Sequence, residues 1–185
     1  VRRNLSWKLG LRIEIDITET IARMAADTQR HMAEAGRAAP LMIGIARGGV
    51  WVAERLHQLL DLQEKLGQLN ITFYRDDFQR IGLHPSVGPS VLPVTLDGRH
   101  IVLVDDVLYT GRTIRAALNV LFDYGRPASV TLVALVDRGG RELPMCADIT
   151  GHTLQLQPDE YLSIPGPDFA WLEITKTPPS EFTLK

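Results

Sequence analysis

The 185 residues carry 20 Lys and Arg against 22 Asp and Glu, a net charge of −2, and 45% of them are hydrophobic. That length suits one domain with a sizeable core, and the charge balance argues against a dedicated nucleic-acid binder, which would be more basic. No apolar run approaches the ~20 residues of a membrane span, and Cys146 stands alone, so internal disulfides and cysteine-based metal clusters are excluded and a reducing, cytoplasmic setting is expected.

Residues 1–16 read as a lead, loosely ordered over the first twelve and without the apolar core and cleavage site of a signal peptide. One domain spans 17–175, and 176–185, with Pro178-Pro179, read as a mobile tail. A helix is predicted over 18–35, with Ile17, Ile21, Met24, Ala25, Thr28 and Met32 on one face. Its other side carries Arg23, Asp27, Arg30, Glu34 and Arg37. This pattern is either an arginine stripe for nucleic acid or a solvated face in which each arginine has an acid one turn away, and the second reading is preferred. Gly36 ends the helix and Pro40 bars its return. A buried strand at 41–46 then runs through Arg47-Gly48-Gly49 into a helix at 49–60, with Val50, Ala53, Leu56 and Leu60 inward. Glycines at a strand-to-helix turn let backbone approach an anion closely, and Arg47 adds charge.

A strand over 70–75 ends in Tyr74-Arg75-Asp76-Asp77. The irregular stretch 78–98, rich in Gly and Pro, is too long for an ordinary connection and reads as a lid or binding loop rather than an idle surface hairpin. Next, the apolar run Ile101–Val104 stops at Asp105 and Asp106, and Thr110-Gly111-Arg112-Thr113 opens a helix over 112–124 with Ile114, Ala117, Leu118 and Leu121 inward. A buried strand thus delivers two carboxylates and a small-residue turn to a helix start. The turn can hold a phosphate on N–H groups and hydroxyls, and the carboxylates can hold sugar hydroxyls or the waters of a Mg2+ ion. The apolar strand 130–136 runs into Asp137-Arg138-Gly139-Gly140-Arg141, and short strands are predicted near 153–156, 160–164 and 169–174. Helices alternating with buried strands give an α/β domain with a largely parallel sheet. Every candidate segment lies beyond the carboxyl end of a strand, where such sheets bind ligands.

Paired aspartates after an apolar strand also occur in receiver domains and Walker-B strands. A receiver needs an acidic pair near the N-terminus and a late lysine, and a P-loop enzyme needs Gly-x-x-x-x-Gly-Lys-Ser/Thr, which is absent. Residues 101–113 instead resemble the phosphoribosyl-pyrophosphate (PRPP) motif of type I phosphoribosyltransferases. Together with Ile71–Asp77, Val107–Thr113 and Leu135–Pro144 they resemble the PyrR family of pyrimidine-operon regulators and uracil phosphoribosyltransferases, over residues 17–175.

The resemblance implies the type I phosphoribosyltransferase fold, with a mobile loop or hairpin over the site. It implies transfer of phosphoribose from PRPP to uracil, giving UMP and pyrophosphate. Thr110, Gly111, Arg112 and Thr113, with Tyr109, would take the 5′-phosphate side of PRPP. Asp105 and Asp106 would hold the ribose hydroxyls and Mg2+, directly or through water. Arg47 and Gly48 would form the pyrophosphate loop, and Arg75 and Asp76 would cover PRPP and magnesium. The backbone of Val136, Asp137 and Arg138 would read the uracil edge. A homodimer or homotetramer is implied, and so is a leader-RNA partner, to which Arg141 would contribute.

This chain departs from the family at several places. It reads Arg47-Gly48-Gly49 where relatives have Thr-Arg-Gly. Tyr109, which is part of the resemblance and no departure from it, stands where related purine enzymes have a third acid. Cys146 replaces an arginine of the RNA-binding members, and Met24 and Thr28 replace their Thr and His. The chemistry therefore reads as uracil phosphoribosyl transfer. The other readings are an RNA-binding attenuator of pyrimidine genes with catalysis secondary, weakened by the missing basic residues, and a transferase for another base, weakened by the missing third acid.

Overall fold

The computed structural model describes residues 3–4, 11–46, 48–71, 89–164 and 171–176. Helix α1 (Ile17–Glu34) starts at Asp16, whose carboxylate accepts the Glu19 N–H at 2.8 Å, and ends at Gly36 in a left-handed turn with φ +65°. Strand β3 (Leu41–Ile45) follows, then α2 (Gly48–Leu59) and β4 (Gly67–Leu69). Strand β5 (His100–Leu108) leads into α3 (Arg112–Tyr124), β6 (Ser129–Asp137) and β7 (Ile149–Thr153).

These strands form a five-stranded sheet in the order β4-β3-β5-β6-β7, with every neighbouring pair parallel. Burial explains why β5 reads as an unbroken apolar run. Val102 and Val104 pack toward Met24, Val52, Ala53 and Leu56 of α1 and α2. Ile101 and Leu103 pack toward Ile114, Ala117, Val120 and Leu121 of α3. Both sheet faces are covered, so alternation of side-chain direction leaves no polar face.

A second, antiparallel sheet joins the two ends of the chain in the order β1 (Arg3–Asn4), β2 (Leu11–Glu14), β9 (Trp171–Thr175), β8 (Tyr161–Ser163). Residues 11–14, inside the stretch read as a lead, are therefore a paired strand. Ile13 lies opposite Leu172, and both are buried in the same cluster as Met24. Full burial of a side chain such as Leu172, 0% exposed, contributes about 1.5–3 kcal/mol. This is ample reason for an otherwise polar segment to order.

Several boundaries differ from expectation for identifiable reasons. The strand expected at 153–156 is β7, which lies earlier. It is an edge strand that buries only Ile149 and Gly151, so its signal is weaker than that of Leu154 and Leu156 beyond it. The strand expected at 70–75 is preceded by β4 at 67–69, and residues 72–75 lie outside the described residues. Of the stretch read as a lid, residues 89–98 pack down: Val91 and Gln68 exchange two 2.8 Å backbone bonds, and Leu96 is fully buried. Residues 78–88 lie outside the described residues.

The charged side of α1 is not the chain of ion pairs that its spacing predicts. Asp27 and Arg30 pair, but Arg23 donates to the carbonyls of Thr150 and Gly151 on β7. Arg37 donates to Thr131 Oγ1 on β6 at 2.8 Å. Two arginines of the stripe therefore dock the helix on the sheet, because strand carbonyls and a hydroxyl lie nearer than the acid one turn away.

Candidate active site

The site lies where β3, β5 and β6 end. Strand β5 continues through the two carboxylates and pairs with β6 in register, Asp105 opposite Ala134 and Leu108 opposite Asp137. Asp105 is 4% exposed, and its Oδ1 accepts the Asp106 N–H at 3.1 Å. Asp106 Oδ1 accepts the Val107 N–H at 2.9 Å. Burial raises the Asp106 pKa above the ordinary 3.8, against the opposing hydrogen bonds from Val107 N and Asp105. Both carboxylates accept backbone N–H groups at the carboxyl end of β5, the end of such a sheet where ligands bind in general.

The β3–α2 turn closes on the same point. A Cβ on Gly48 would lie 1.9 Å from Asp106 Oδ2, and one on Gly49 would lie 2.4 Å from the Val104 carbonyl oxygen. Only glycine at both places lets the start of α2 reach the carboxylates. Arg47, expected to charge this turn, lies outside the described residues, as do Arg75 and Asp76.

The β5–α3 turn is the second arm. Gly111 caps α3 in the left-handed region, φ +90°, with no side-chain cap bond. The first intrahelical bond runs from Arg115 N to the Gly111 carbonyl at 2.9 Å, so the N–H groups of Thr113 and Ile114 have no partner within the helix. Arg112 N donates to Thr110 Oγ1 at 3.3 Å. The N-termini of α2 and α3, which follow adjacent parallel strands, thus bring two positive dipole ends to one place. An anion with phosphates at both ends fits that arrangement.

The third arm, the β6–β7 loop, is pinned inward. Arg141 donates to the Met145 carbonyl at 2.7 Å, to the carbonyls of Leu108 at 3.3 Å and Tyr109 at 2.5 Å, and to Asp137. Desolvation raises the Asp137 pKa, but the Arg141 hydrogen bond, the Gly139 N–H and the Arg141 charge outweigh it and leave it below 3.8. Glu142 N and Leu143 N both donate to the Thr110 carbonyl at 3.0 Å, and Glu142 pairs with Arg112 Nε at 2.8 Å. This loop fixes the turn that begins α3. The contribution of Arg141 to RNA binding thus meets a side chain committed to the protein's own carbonyls.

The residues expected at the uracil edge lie beside this arm. Val136 and Asp137 are the last residues of β6. Arg138 N donates to the Leu108 carbonyl at 3.1 Å, and the Asp137 carbonyl accepts Leu154 N at 2.8 Å, so part of that backbone edge is already used. The Arg138 guanidinium lies 3.8 Å from the centre of the Tyr109 ring, and Gly140 leaves room for that ring, since a Cβ there would lie 2.6 Å from it. The sequence reading brought Asp105, Asp106, Gly48, Tyr109 and Thr110–Thr113 to one end of the sheet. It missed Glu142 as the partner of Arg112 and Arg141 as a strap. The signal was the pair Gly139-Gly140, both at positive φ, which turns the chain back onto β5.

Among the described residues no cluster of three or more His, Cys, Asp and Glu could cage a metal, and no helix is long and apolar enough to cross a membrane. Two adjacent carboxylates match instead the way Mg2+ is held by one or two protein acids together with substrate phosphates.

Residues 13–159 match the phosphoribosyl transferase domain family. The chain is 56% identical to the bifunctional protein PyrR of Nitrosococcus oceani over 171 residues, 91% of this chain and 97% of that one. It is 58% identical to that of Pseudomonas aeruginosa over 149 residues, 80% and 88% of the two chains. Its fold is like a Trypanosoma cruzi hypoxanthine phosphoribosyl transferase, with TM-score 0.66 at 19% identity over 92% of this chain and 94% of that one. It is also like a Staphylococcus aureus hypoxanthine phosphoribosyltransferase, with TM-score 0.61 at 15% identity over 87% and 90%. With carboxylates and two glycine turns meeting at the sheet end, and relatives this close over nearly their whole length, the chain belongs to the PyrR family of type I phosphoribosyltransferases.

Proposed function

We propose that this protein transfers phosphoribose from PRPP to uracil, forming UMP and pyrophosphate with Mg2+. The observation that carries the reading is the approach of Gly48 to Asp106, which brings the start of α2 onto the carboxylates of β5, the strand that runs into the α3 N-terminus. Thr110, Gly111, Arg112 and Thr113 take the 5′-phosphate. Asp105 and Asp106 hold the ribose hydroxyls. Gly48, with Arg47, lies along the pyrophosphate, Arg75 and Asp76 close over it, and Val136 to Arg138 face the base.

When bound, Mg2+ supplies positive charge to the leaving pyrophosphate, and Asp105 and Asp106 are the residues that would hold it. Catalysis by the chain itself is positioning and electrostatics. The α2 and α3 N-termini fix both ends of PRPP, and the carboxylates stabilise positive character at the ribose. Tyr109, an uncharged residue at the third position of the motif, supplies no carboxylate to a purine ring, which supports a pyrimidine substrate. We further propose a cytoplasmic homodimer or homotetramer.

The test is transfer from radiolabelled PRPP against a panel of bases with a leader-RNA gel shift in parallel. Labelled UMP formed only with Mg2+ supports the reading. Preference for a purine, or transfer in excess chelator, contradicts it. Regulation through leader RNA is the second reading, favoured by the relatives' name "bifunctional". Against it stand the inward bonds of Arg141 and the docking of Arg23 and Arg37 on the sheet.

A further inference from the structure

Each residue of the turn Thr110-Gly111-Arg112 is met by the loop after β6. The Thr110 carbonyl accepts two N–H groups, those of Glu142 and Leu143, both at 3.0 Å. Gly111 lies against Leu143 and Met145, since a Cβ there would be 3.0 Å from Met145 Cγ and 3.3 Å from Leu143 Cβ. Arg112 Nε donates to the Glu142 carboxylate at 2.8 Å. These contacts also set a direction. A peptide unit is planar and trans, so its carbonyl and its N–H point opposite ways. Drawing the Thr110 carbonyl onto the loop therefore aims the Gly111 N–H away from the loop. Among the described residues no acceptor meets that N–H, and it adjoins the start of α3, where further N–H groups have no partner within the helix.

The opposite orientation is open to this peptide. Gly111, at φ +90° and ψ −6°, has the angles that a type II turn gives its third residue. Turning the peptide over leads to the type I values, about −90° and 0°, which glycine adopts as readily. In that state the Thr110 carbonyl oxygen would face a bound phosphate and repel it. We propose that the loop after β6 locks the Thr110–Gly111 peptide in its anion-receiving orientation, and that Glu142 is the positioning residue of this lock. The Arg112 and Glu142 side chains are 51% and 52% exposed, and an exposed ion pair contributes little by itself. The two N–H bonds to the Thr110 carbonyl are therefore the main part of the lock, and the ion pair keeps Glu142 in place to make them. Only locked molecules take the phosphate, so the apparent PRPP affinity scales with the locked fraction, while turnover of the bound complex does not.

This inference rests on placing the PRPP 5′-phosphate at this turn, and the experiment separates the two. PRPP binding to the full chain is measured by calorimetric titration, which needs no base, and KM and kcat by transfer to uracil. An ester takes the place of the Leu143 N–H when the corresponding α-hydroxy acid is installed there by nonsense suppression. That protein is expected to show Kd and KM for PRPP raised about tenfold, with kcat at saturating PRPP within about threefold of wild type. Glu142→Ala is expected to raise both constants about threefold, and Glu142→Gln, which keeps an oxygen for Arg112 Nε, to lie near wild type. The sign is informative, because deleting a carboxylate beside an anion site would by charge alone tighten PRPP binding. An unchanged Kd in the ester protein, PRPP bound by Glu142→Ala as tightly as by wild type or more so, or a kcat that falls as far as KM rises, overturns the lock. If the ester protein does not fold, Glu142→Ala against Glu142→Gln decides by the same split between KM and kcat. Wild-type protein that does not bind PRPP overturns the phosphate reading itself, whereas a binding wild type with unaffected variants overturns only the inference.

Discussion

The loops after β5 and β6 begin alike and end as different devices. Each follows a nine-residue inner strand of the parallel sheet that carries aspartate near its end, and each contains glycine at positive φ. After β5, the turn runs straight into α3 and leaves N–H groups at the helix start with no partner within the helix. After β6, no helix follows, and the donors of Gly139, Arg141, Glu142 and Leu143 go to the protein's own oxygens. One loop leaves N–H groups at a helix start unused within the helix, where the anion proposed above would sit. The other spends its donors holding the first in place. A ligand site therefore shows itself by what its backbone leaves unbonded, and its support by what is bonded twice over.

The contrast breaks most visibly at the carboxylates. Asp105→Asn with Asp106→Asn is expected to lower phosphoribosyl transfer by about 10²–10³-fold, the scale of losing electrostatic partners of a transition state. Stability should hold or rise, because burial raises the Asp106 pKa and its charged form is costly to the fold at neutral pH. Thermal melting beside a kinetic assay checks both parts.

Gly48→Ala sharpens the geometric claim. Its Cβ would lie 1.9 Å from Asp106 Oδ2, so α2 or the carboxylate must move, and we expect a loss of about 1–3 kcal/mol in stability together with weaker PRPP binding. Calorimetric titration with PRPP reads the second effect. Unchanged affinity would mean that the two turns do not share a ligand.

Arg141→Ala tests the supporting loop. It strips partners from Asp137 and from the carbonyls of Leu108, Tyr109 and Met145, and should cost about 1–3 kcal/mol. The Asp137 pKa lies below 3.8, so the ion pair stabilises fully above that value and its contribution fades as pH falls further. The gap between wild type and variant in denaturant midpoint should therefore narrow in acid below pH 3.8. Leader-RNA binding, measured on the same variant by gel shift, should not change.

How much of this was legible in the sequence follows from the same physics. Strands β3, β5 and β6 announce themselves because central strands bury nearly every apolar residue they have, and helix α3 because its buried residues, Ile114, Ala117, Val120 and Leu121, recur at helical spacing. The edge strand β7 and the short β2 bury few, so their patterns are weak. At the site, Asp105, Asp106 and Thr110–Thr113 are neighbours in sequence and could be read together. The contacts of Gly48 with Asp106, Arg112 with Glu142, and Arg138 with Tyr109 join separate strands, and only the parallel register of β3, β5 and β6 brings them together. The acids spaced along α1 misled for a related reason: local spacing cannot show that Thr131 and the β7 carbonyls lie closer.

A smaller effect is expected at the α1–β7 contact. His152 Nε2 lies 2.8 Å from Thr20 Oγ1, and burial, with the Arg23 charge, holds its pKa below 6.5. Its neutral form is the one folded, so stability should decline as pH falls below 6.5, where the unfolded chain takes up the proton first. In His152→Gln that part of the decline should disappear from a pH series of melting curves.

The most direct test of the central claim is single-turnover transfer from radiolabelled PRPP to uracil by wild-type protein and by Asp105→Asn with Asp106→Asn, with and without Mg2+. The account predicts labelled UMP from the wild type with Mg2+ alone and almost none from the variant, both proteins melting cooperatively. Equal UMP from the two proteins, or UMP formed in excess chelator, would contradict it.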